Sequence, residues 1–223
     1  MKLYMHPVSM TSRPVRLYIA EKKIPCEEQL VDLMVGEHLQ EPYAGINPNK
    51  LVPVLEDDGL RLTESSAILK YLAEKNNFPE YPKDLKQRAK VNELMDWFNT
   101  NFYRDYGYGM AYPQIFAHHK RPTDDVQSAT VAWGTERARN WLGVLDKHWL
   151  GPNNYVCGKD ITIADYFGVC LLTLGELTRT DFSKYPNVNR WLGTMKQLKS
   201  WAKVNEVLYG FAGQIKDMPF VTV

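Results

Sequence analysis

At 223 residues the chain is long enough for one large or two small domains around a substantial core. Its 27 basic and 26 acidic residues leave a net charge of +1, which excludes a whole-molecule field for nucleic acid or an anionic membrane and points to a small-molecule partner. The three cysteines, Cys26, Cys157 and Cys170, are far apart and lack CxxC or metal-type spacing; they fit a reducing compartment and read as buried small apolar residues. No apolar run approaches about 18 residues and no charged-then-apolar leader is present, so a cytoplasmic protein is expected.

Lys2-Leu3-Tyr4-Met5 reads as a short strand ended by His6-Pro7, and a hydroxyl-rich loop from Val8 feeds a helix running through Leu17-Tyr18-Ile19 to Lys22. Ile24 to Asp32 is the expected second strand of a βαβ unit, whose right-handed crossover puts the helix on one face of the sheet. Leu51-Val52-Pro53-Val54-Leu55 is an aliphatic run broken by a residue that cannot donate to a ladder, so Pro53 is expected where a loop passes into an edge strand. A cis bond there would turn the Val52 N–H and C=O outward for an extended peptide to pair with.

After a turn at Asp57-Asp58-Gly59 and a strand from Leu60, Thr63-Glu64-Ser65-Ser66 opens a helix with Ser65 as expected N-cap. Its free N–H groups and positive dipole end make an anion site, with Glu64 beside it able to hold a cation. The order βαβ then ββα is that of a thioredoxin-like domain over residues 1–77. Prolines and asparagines without periodicity make residues 78–84 a linker.

Residues 85–223 read as all-helical, with helices expected over Leu85 to Arg104, Asp124 to Leu150, Thr162 to Thr178 and Val188 to Leu198. Thr162-Ile163-Ala164-Asp165 is a capping box with Ile161 and Tyr166 at staple spacing, contributing about 1 kcal/mol. Phe102 to Phe116 concentrates aromatic residues, and its two glycines and proline make it a bent segment rather than a regular core helix.

Val52-Pro53 followed by Glu64-Ser65 resembles the glutathione-binding signature of cytosolic glutathione transferases, in particular the serine-type, delta- and theta-like classes. The resemblance covers nearly the whole chain, with specific motifs only in the first domain. It implies the glutathione transferase fold, a homodimer, glutathione as co-substrate and conjugation of its thiolate to a mostly apolar electrophile. Pro7-Val8-Ser9 with Arg13 resembles the delta-class pattern and makes Ser9 the catalytic hydroxyl. Ser12 competes, because Ser12-Arg13-Pro14-Val15-Arg16 is similar to a theta-like S-x-P-C-R with Val15 at the cysteine position. Its reading from the residues alone is an N-cap with Pro14 in the first turn, so Ser9 is placed ahead.

The resemblance further assigns His38 and Lys50 to the glycine carboxylate of glutathione, the Val52 backbone to its cysteinyl part, and Glu64 and Ser65 to the γ-glutamyl ammonium and carboxylate. Tyr103, Tyr106, Tyr112 and Phe116 fall where the family builds the electrophile pocket. No metal is expected, since His and Cys do not gather at ligand spacings, and the adjacent His118-His119 is expected to be exposed.

The chemistry asked of Ser9 is modest. A thiol of pKa about 8.5 must fall by about 1.5 to be half ionised at neutral pH, which is about 2 kcal/mol. One hydrogen bond to a charged acceptor contributes about 1.5–3 kcal/mol, so a single O–H suffices without a buried base. Rival readings are a non-catalytic module of the same fold, which the Ser9, His38 and Glu64-Ser65 set argues against, and a glutathione-dependent isomerase, dehalogenase or peroxidase. A thiol-disulfide reductase is disfavoured, because Ser9-Met10 stands where those enzymes place cysteine.

Overall fold

Alternation of buried and half-buried residues in Lys2–Met5 makes β1, with Leu3 and Met5 turned into the core. The computed structural model describes all 223 residues, and its four-stranded sheet has the order β2-β1-β3-β4. β2 (Glu27–Leu30) runs parallel to β1 after helix α1 (Ser12–Lys22), β3 (Val54–Asp57) lies antiparallel to β1, and β4 (Leu60–Leu62) antiparallel to β3. This is the thioredoxin-like arrangement expected from the element order.

Two strand expectations need correction. β2 is shorter than Ile24 to Asp32 and exposed along its length; it is the sheet edge, and its Glu27-Glu28-Gln29 sequence blunts that edge with charge and polarity. β3 is not an edge strand, because it pairs on both sides. The Val52–Pro53 bond is cis, and since the pairing with β1 ends at Tyr4–Val54, Val52 lies beyond the ladder. Its N–H is free because β1 has run out, not because the strand lacks a neighbour.

The short helix α2 (Tyr43–Ile46) covers one face of the sheet, where Val31, Tyr43, Val52 and Val54 form a small core of their own. On the other face lie α1 and α3 (Ser65–Lys75), and there one cluster of 50 buried residues runs from Leu3 of β1 into the helical half, so the two halves share a core. The elements of the helical half are α4 (Leu85–Trp97), α5 (Tyr112–Ile115), α6 (Asp124–Val144), α7 (Ile163–Leu172), α8 (Leu174–Leu177), α9 (Pro186–Met195) and α10 (Trp201–Gln214). The buried helix α7 packs on α1, α3 and α4, with the expected capping box at its start.

Asp165 of that box accepts from the N–H of Val156 at 2.9 Å, the N–H and hydroxyl of Thr162 at 2.8 and 2.9 Å, and Trp191 Nε1 at 3.0 Å. The helix expected to stop near Arg104 instead continues through Phe98–Ala111 in the wider π-type winding, the form that recurs at functional sites. Close approach accounts for the glycine there: a Cβ on Gly134 of α6 would run into the Gly109 backbone. α10, whose residues Trp201, Val204 and Leu208 are buried, was not expected from the sequence. No helix is long and apolar enough to cross a membrane.

Candidate active-site cleft

Between the loops at the ends of β1 and β3 and the π-wound segment runs a cleft in two connected parts, of about 310 and 180 Å³. Those volumes suit small molecules. Thr11, Leu51, Val52, Tyr103 and Tyr108 line both parts. Glu64, Ser65, Asn47, Asn49, Asn99 and Arg104 belong to the larger. Ser9, His38, Lys50, Tyr112, Phe116, His118 and His119 belong to the smaller.

The loop before α1 separates the two competing serines. Ser9 Oγ accepts from the N–H of Thr11 at 3.3 Å and of Ser12 at 3.2 Å, and the Ser9 carbonyl accepts the first helical bond, from Arg13 N–H at 3.0 Å. Ser9 is therefore the side chain that caps α1. The expectation that Ser12 caps the helix is wrong: Ser12 is fully buried, lines neither part of the cleft, and its Oγ only accepts a long 3.5 Å bond from His6 N–H. Thr11 Oγ1 donates to the Val52 carbonyl at 2.9 Å, so the 3.1 Å contact between Ser9 and Thr11 hydroxyls has Ser9 as donor. Of the Ser9 and Thr11 hydroxyl protons, that of Ser9 is thus the one free to be redirected to a thiolate, and two N–H groups polarise its oxygen.

At α3 the expected cap is absent. Ser65 is the first helical residue, Glu64 stands at the cap position with φ 63° and ψ 112°, and no side chain caps the helix. A non-glycine residue there is held in strain of about 1–3 kcal/mol, which persists only where the surroundings impose it. The uncapped N–H groups of α3 open beside an exposed Glu64 carboxylate, an acceptor for a cation next to donors for an anion. His38 is half-buried and its Nδ1 has no partner. Burial, then the charge of His118, lowers its pKa. Lys50 is exposed.

Tyr103 and Tyr112 share a short hydroxyl-to-hydroxyl hydrogen bond, and burial raises the pKa of both, keeping them protonated donors. Phe116 packs edge-on to Tyr112 with ring centroids 5.4 Å apart. Tyr106 must be withdrawn from the pocket. It is buried in the helical core against Phe102, 4.7 Å between centroids, with its hydroxyl donating to Thr180, because the π winding turns it away from the cleft. Tyr108 takes its place at the cleft, and its proximity to Tyr112 within the aromatic stretch was the available signal.

His118 is exposed and His119 half-buried, and both line the cleft rather than open surface. Thr11, Asn47 and Asn49 were also missed, since nothing in their local sequence distinguishes them from turn residues, as were Asn99 and Arg104 on the π-wound segment. Only Cys170 is fully buried, Cys26 and Cys157 being half-buried; burial raises all three thiols, to about 11, 11 and 12 for Cys26, Cys170 and Cys157. No group of three or more His, Cys, Asp or Glu is placed to hold a metal ion.

The family pattern for the glutathione S-transferase N-terminal domain matches residues 3–80, and that for the C-terminal domain matches residues 112–199. The chain belongs to the glutathione S-transferase family. Theta-1 glutathione S-transferase of Mus musculus is 33% identical over 175 residues, and that of Homo sapiens 32% over 171, each alignment covering 76% of this chain and 70% of the relative. Among solved structures, a delta-class glutathione transferase of Nilaparvata lugens has a TM-score of 0.81 at 32% identity, over 97% of this chain and 99% of that one. Human glutathione transferase theta-2, solved with glutathione and an unknown ligand, has a TM-score of 0.85 at 25% identity, over 100% of this chain and 93% of that one. This chain is a glutathione transferase with a thioredoxin-like sheet domain and a helical domain.

Proposed function

We propose that glutathione lies extended along the cleft, with its γ-glutamyl end at Glu64 and Ser65, its cysteinyl part on the Val52 backbone and its glycine carboxylate at Lys50 and His38. The observation that carries this reading is the order of the groups: Val52, with a free N–H, lies on both parts of the cleft, between the acceptor and uncapped helix of one and the basic side chains of the other. A tripeptide with a zwitterionic head, an amide middle and an anionic tail meets them in that order. The Val52 carbonyl already accepts from Thr11, yet a carbonyl has two lone pairs and can take a peptide N–H as well.

Ser9 then moves its proton from Thr11 to the sulfur, aided by the positive end of α1, and the thiolate attacks an electrophilic carbon held by Tyr103, Tyr112 and Phe116. The proton of the thiol goes to solvent and the leaving group departs with the bonding pair. We read the protein as cytoplasmic and as a two-fold homodimer, for which exposed Leu60, Leu85, Val126 and Trp133 supply apolar surface. Sedimentation at micromolar protein should give twice 25.8 kDa, and a mass of 25.8 kDa would end that part of the reading.

The test of function is glutathione-dependent turnover of aryl halides, epoxides, isothiocyanates and hydroperoxides, with a tryptophan fluorescence titration of glutathione. Turnover of at least one class with saturable binding is expected. Saturable binding without turnover of any would favour a non-catalytic module.

A further inference from the structure

The chain as a whole is almost neutral, yet the smaller part of the cleft is lined by no carboxylate. Its lining groups able to carry positive charge are His38, Lys50, His118 and His119. Arg121 adds to them from outside, donating to the Tyr108 carbonyl at 3.4 Å. Nearby acids are engaged elsewhere: Asp124 pairs with Lys120 at 3.5 Å, Glu37 accepts from Asp32 N–H at 2.6 Å, and Asp32 accepts from Met34 N–H at 2.8 Å. Glu64 belongs to the larger part.

With the glycine carboxylate at Lys50 and His38, as proposed above, three basic groups on the helical side remain unused. Two are fixed by stacking. The His119 ring lies over Tyr112 at 5.1 Å and 27°, and the His118 ring over Phe116 at 5.7 Å and 26°. The wall thus presents flat apolar rings with the N–H donors of two imidazoles at their rim and the Arg121 guanidinium beyond them, a preorganised site for a ring carrying an anion.

We propose that this part of the cleft selects planar aromatic electrophiles bearing an acidic substituent, the ring against Tyr112 and Phe116 and the acid group at His118, His119 and Arg121. The reaction is substitution on the ring: the glutathione sulfur–carbon bond forms, the carbon–halogen bond breaks, and halide leaves with the bonding pair.

The test compares 1-chloro-2,4-dinitrobenzene with 4-chloro-3,5-dinitrobenzoate, each kcat/KM divided by the uncatalysed rate constant with glutathione. At low salt the benzoate should be favoured by about tenfold, a factor that shrinks toward one in roughly 1 M salt. The double variant His118→Gln, Arg121→Gln should lower the benzoate-to-neutral ratio at least threefold, and His118→Lys alone should keep it. Equal normalised values in the wild type, or a ratio unmoved by the double variant, overturns the inference while turnover of the neutral halide leaves the glutathione reading standing. Turnover of neither, with no glutathione binding by fluorescence, overturns both.

Discussion

The two halves of the molecule treat their polar groups in opposite ways. In the helical half, buried Asp165 accepts four hydrogen bonds, and buried Asp105 accepts from Arg104 at 2.7 and 3.0 Å, Trp141 at 2.7 Å and Arg137 at 3.2 Å. In the sheet half, the Val52 N–H, the start of α3 and His38 Nδ1 are without partners, and Glu64 holds a strained backbone with an exposed carboxylate. Buried polar groups are ordinarily satisfied, so unsatisfied ones gathered on a single cleft are what a ligand would complete. Two orphaned side-chain atoms lie outside the cleft, Trp149 Nε1 in the helical half and Arg13 Nε where the halves meet. Arg13 sits at that boundary. It is fully buried with no carboxylate, held by Asn205 at 2.5 Å, Thr173 at 2.7 Å and the Cys170 carbonyl at 2.9 Å, and it ties α1 to α7 and α10.

If the contrast is functional, the two halves should fail differently. Asp105→Asn should lower stability by about 2–3 kcal/mol, below the range for a fully buried ion pair because Arg104 and Arg137 are themselves partly exposed. Burial pushes the Asp105 carboxyl up, but the bonds from Arg104, Trp141 and Arg137 outweigh it and hold the pKa below the ordinary 3.8. The folded protein therefore binds this proton more weakly than the unfolded chain. The contribution is complete above about pH 4 and is lost as pH falls through the lowered value. Urea midpoints of wild type and variant should differ at neutral pH and converge in acid; equal midpoints at pH 7 would break the contrast from the helical side.

Glu64→Ala tests the other side. The carboxylate has no protein partner, so stability should stay within about 0.5 kcal/mol, while loss of a charged contact to the γ-glutamyl ammonium should weaken glutathione at least roughly tenfold, about 1.4 kcal/mol. Fluorescence titration beside a melting curve gives both numbers. A destabilised variant with unchanged affinity would make Glu64 structural.

The fold was legible because its signals are local: β1, the Pro53 break, the turn at Gly59 and the capping box each depend on a few adjacent residues. What was missed depends on contacts distant in sequence. Pro53 announced an interrupted ladder but not which strand would end, and Tyr106 was counted with the cleft because the resemblance places the aromatic stretch there as a whole, while the π winding that turns Tyr106 inward has no local signal in the sequence. His118 and His119 looked like surface residues since nothing in their neighbours shows that Tyr112 and Phe116 stack on them. The free proton of Ser9 became assignable only once Thr11 was seen to donate to Val52, 41 residues away.

Ser9→Ala should remove two things. Loss of the acceptor for the Thr11 and Ser12 N–H groups costs about 1 kcal/mol of stability, and loss of the donor raises the bound thiol's pKa by about one or more and lowers kcat at neutral pH about tenfold or more, with glutathione affinity within a few fold. Ser9→Asp separates the two, since aspartate caps as well as serine but, ionised, has no proton to donate. It should restore stability without restoring the thiolate.

Ser12→Ala should have the smallest effect and decides the register. Its hydroxyl is fully buried, reaches no part of the cleft and accepts only one long bond, from His6 N–H at 3.5 Å. Replacing it removes a weak bond and a buried polar atom together, two changes of opposite sign, so stability should move by less than about 1 kcal/mol. Ultraviolet absorbance of the bound thiolate against pH should match wild type. A Ser12→Ala variant that loses the thiolate while Ser9→Ala keeps it would make the theta-like register the correct one and require the start of α1 to rearrange when glutathione binds. If both variants keep it, Thr11 is the remaining hydroxyl that the loop before α1 turns to the cleft, and its bond to the Val52 carbonyl is then the one that must break.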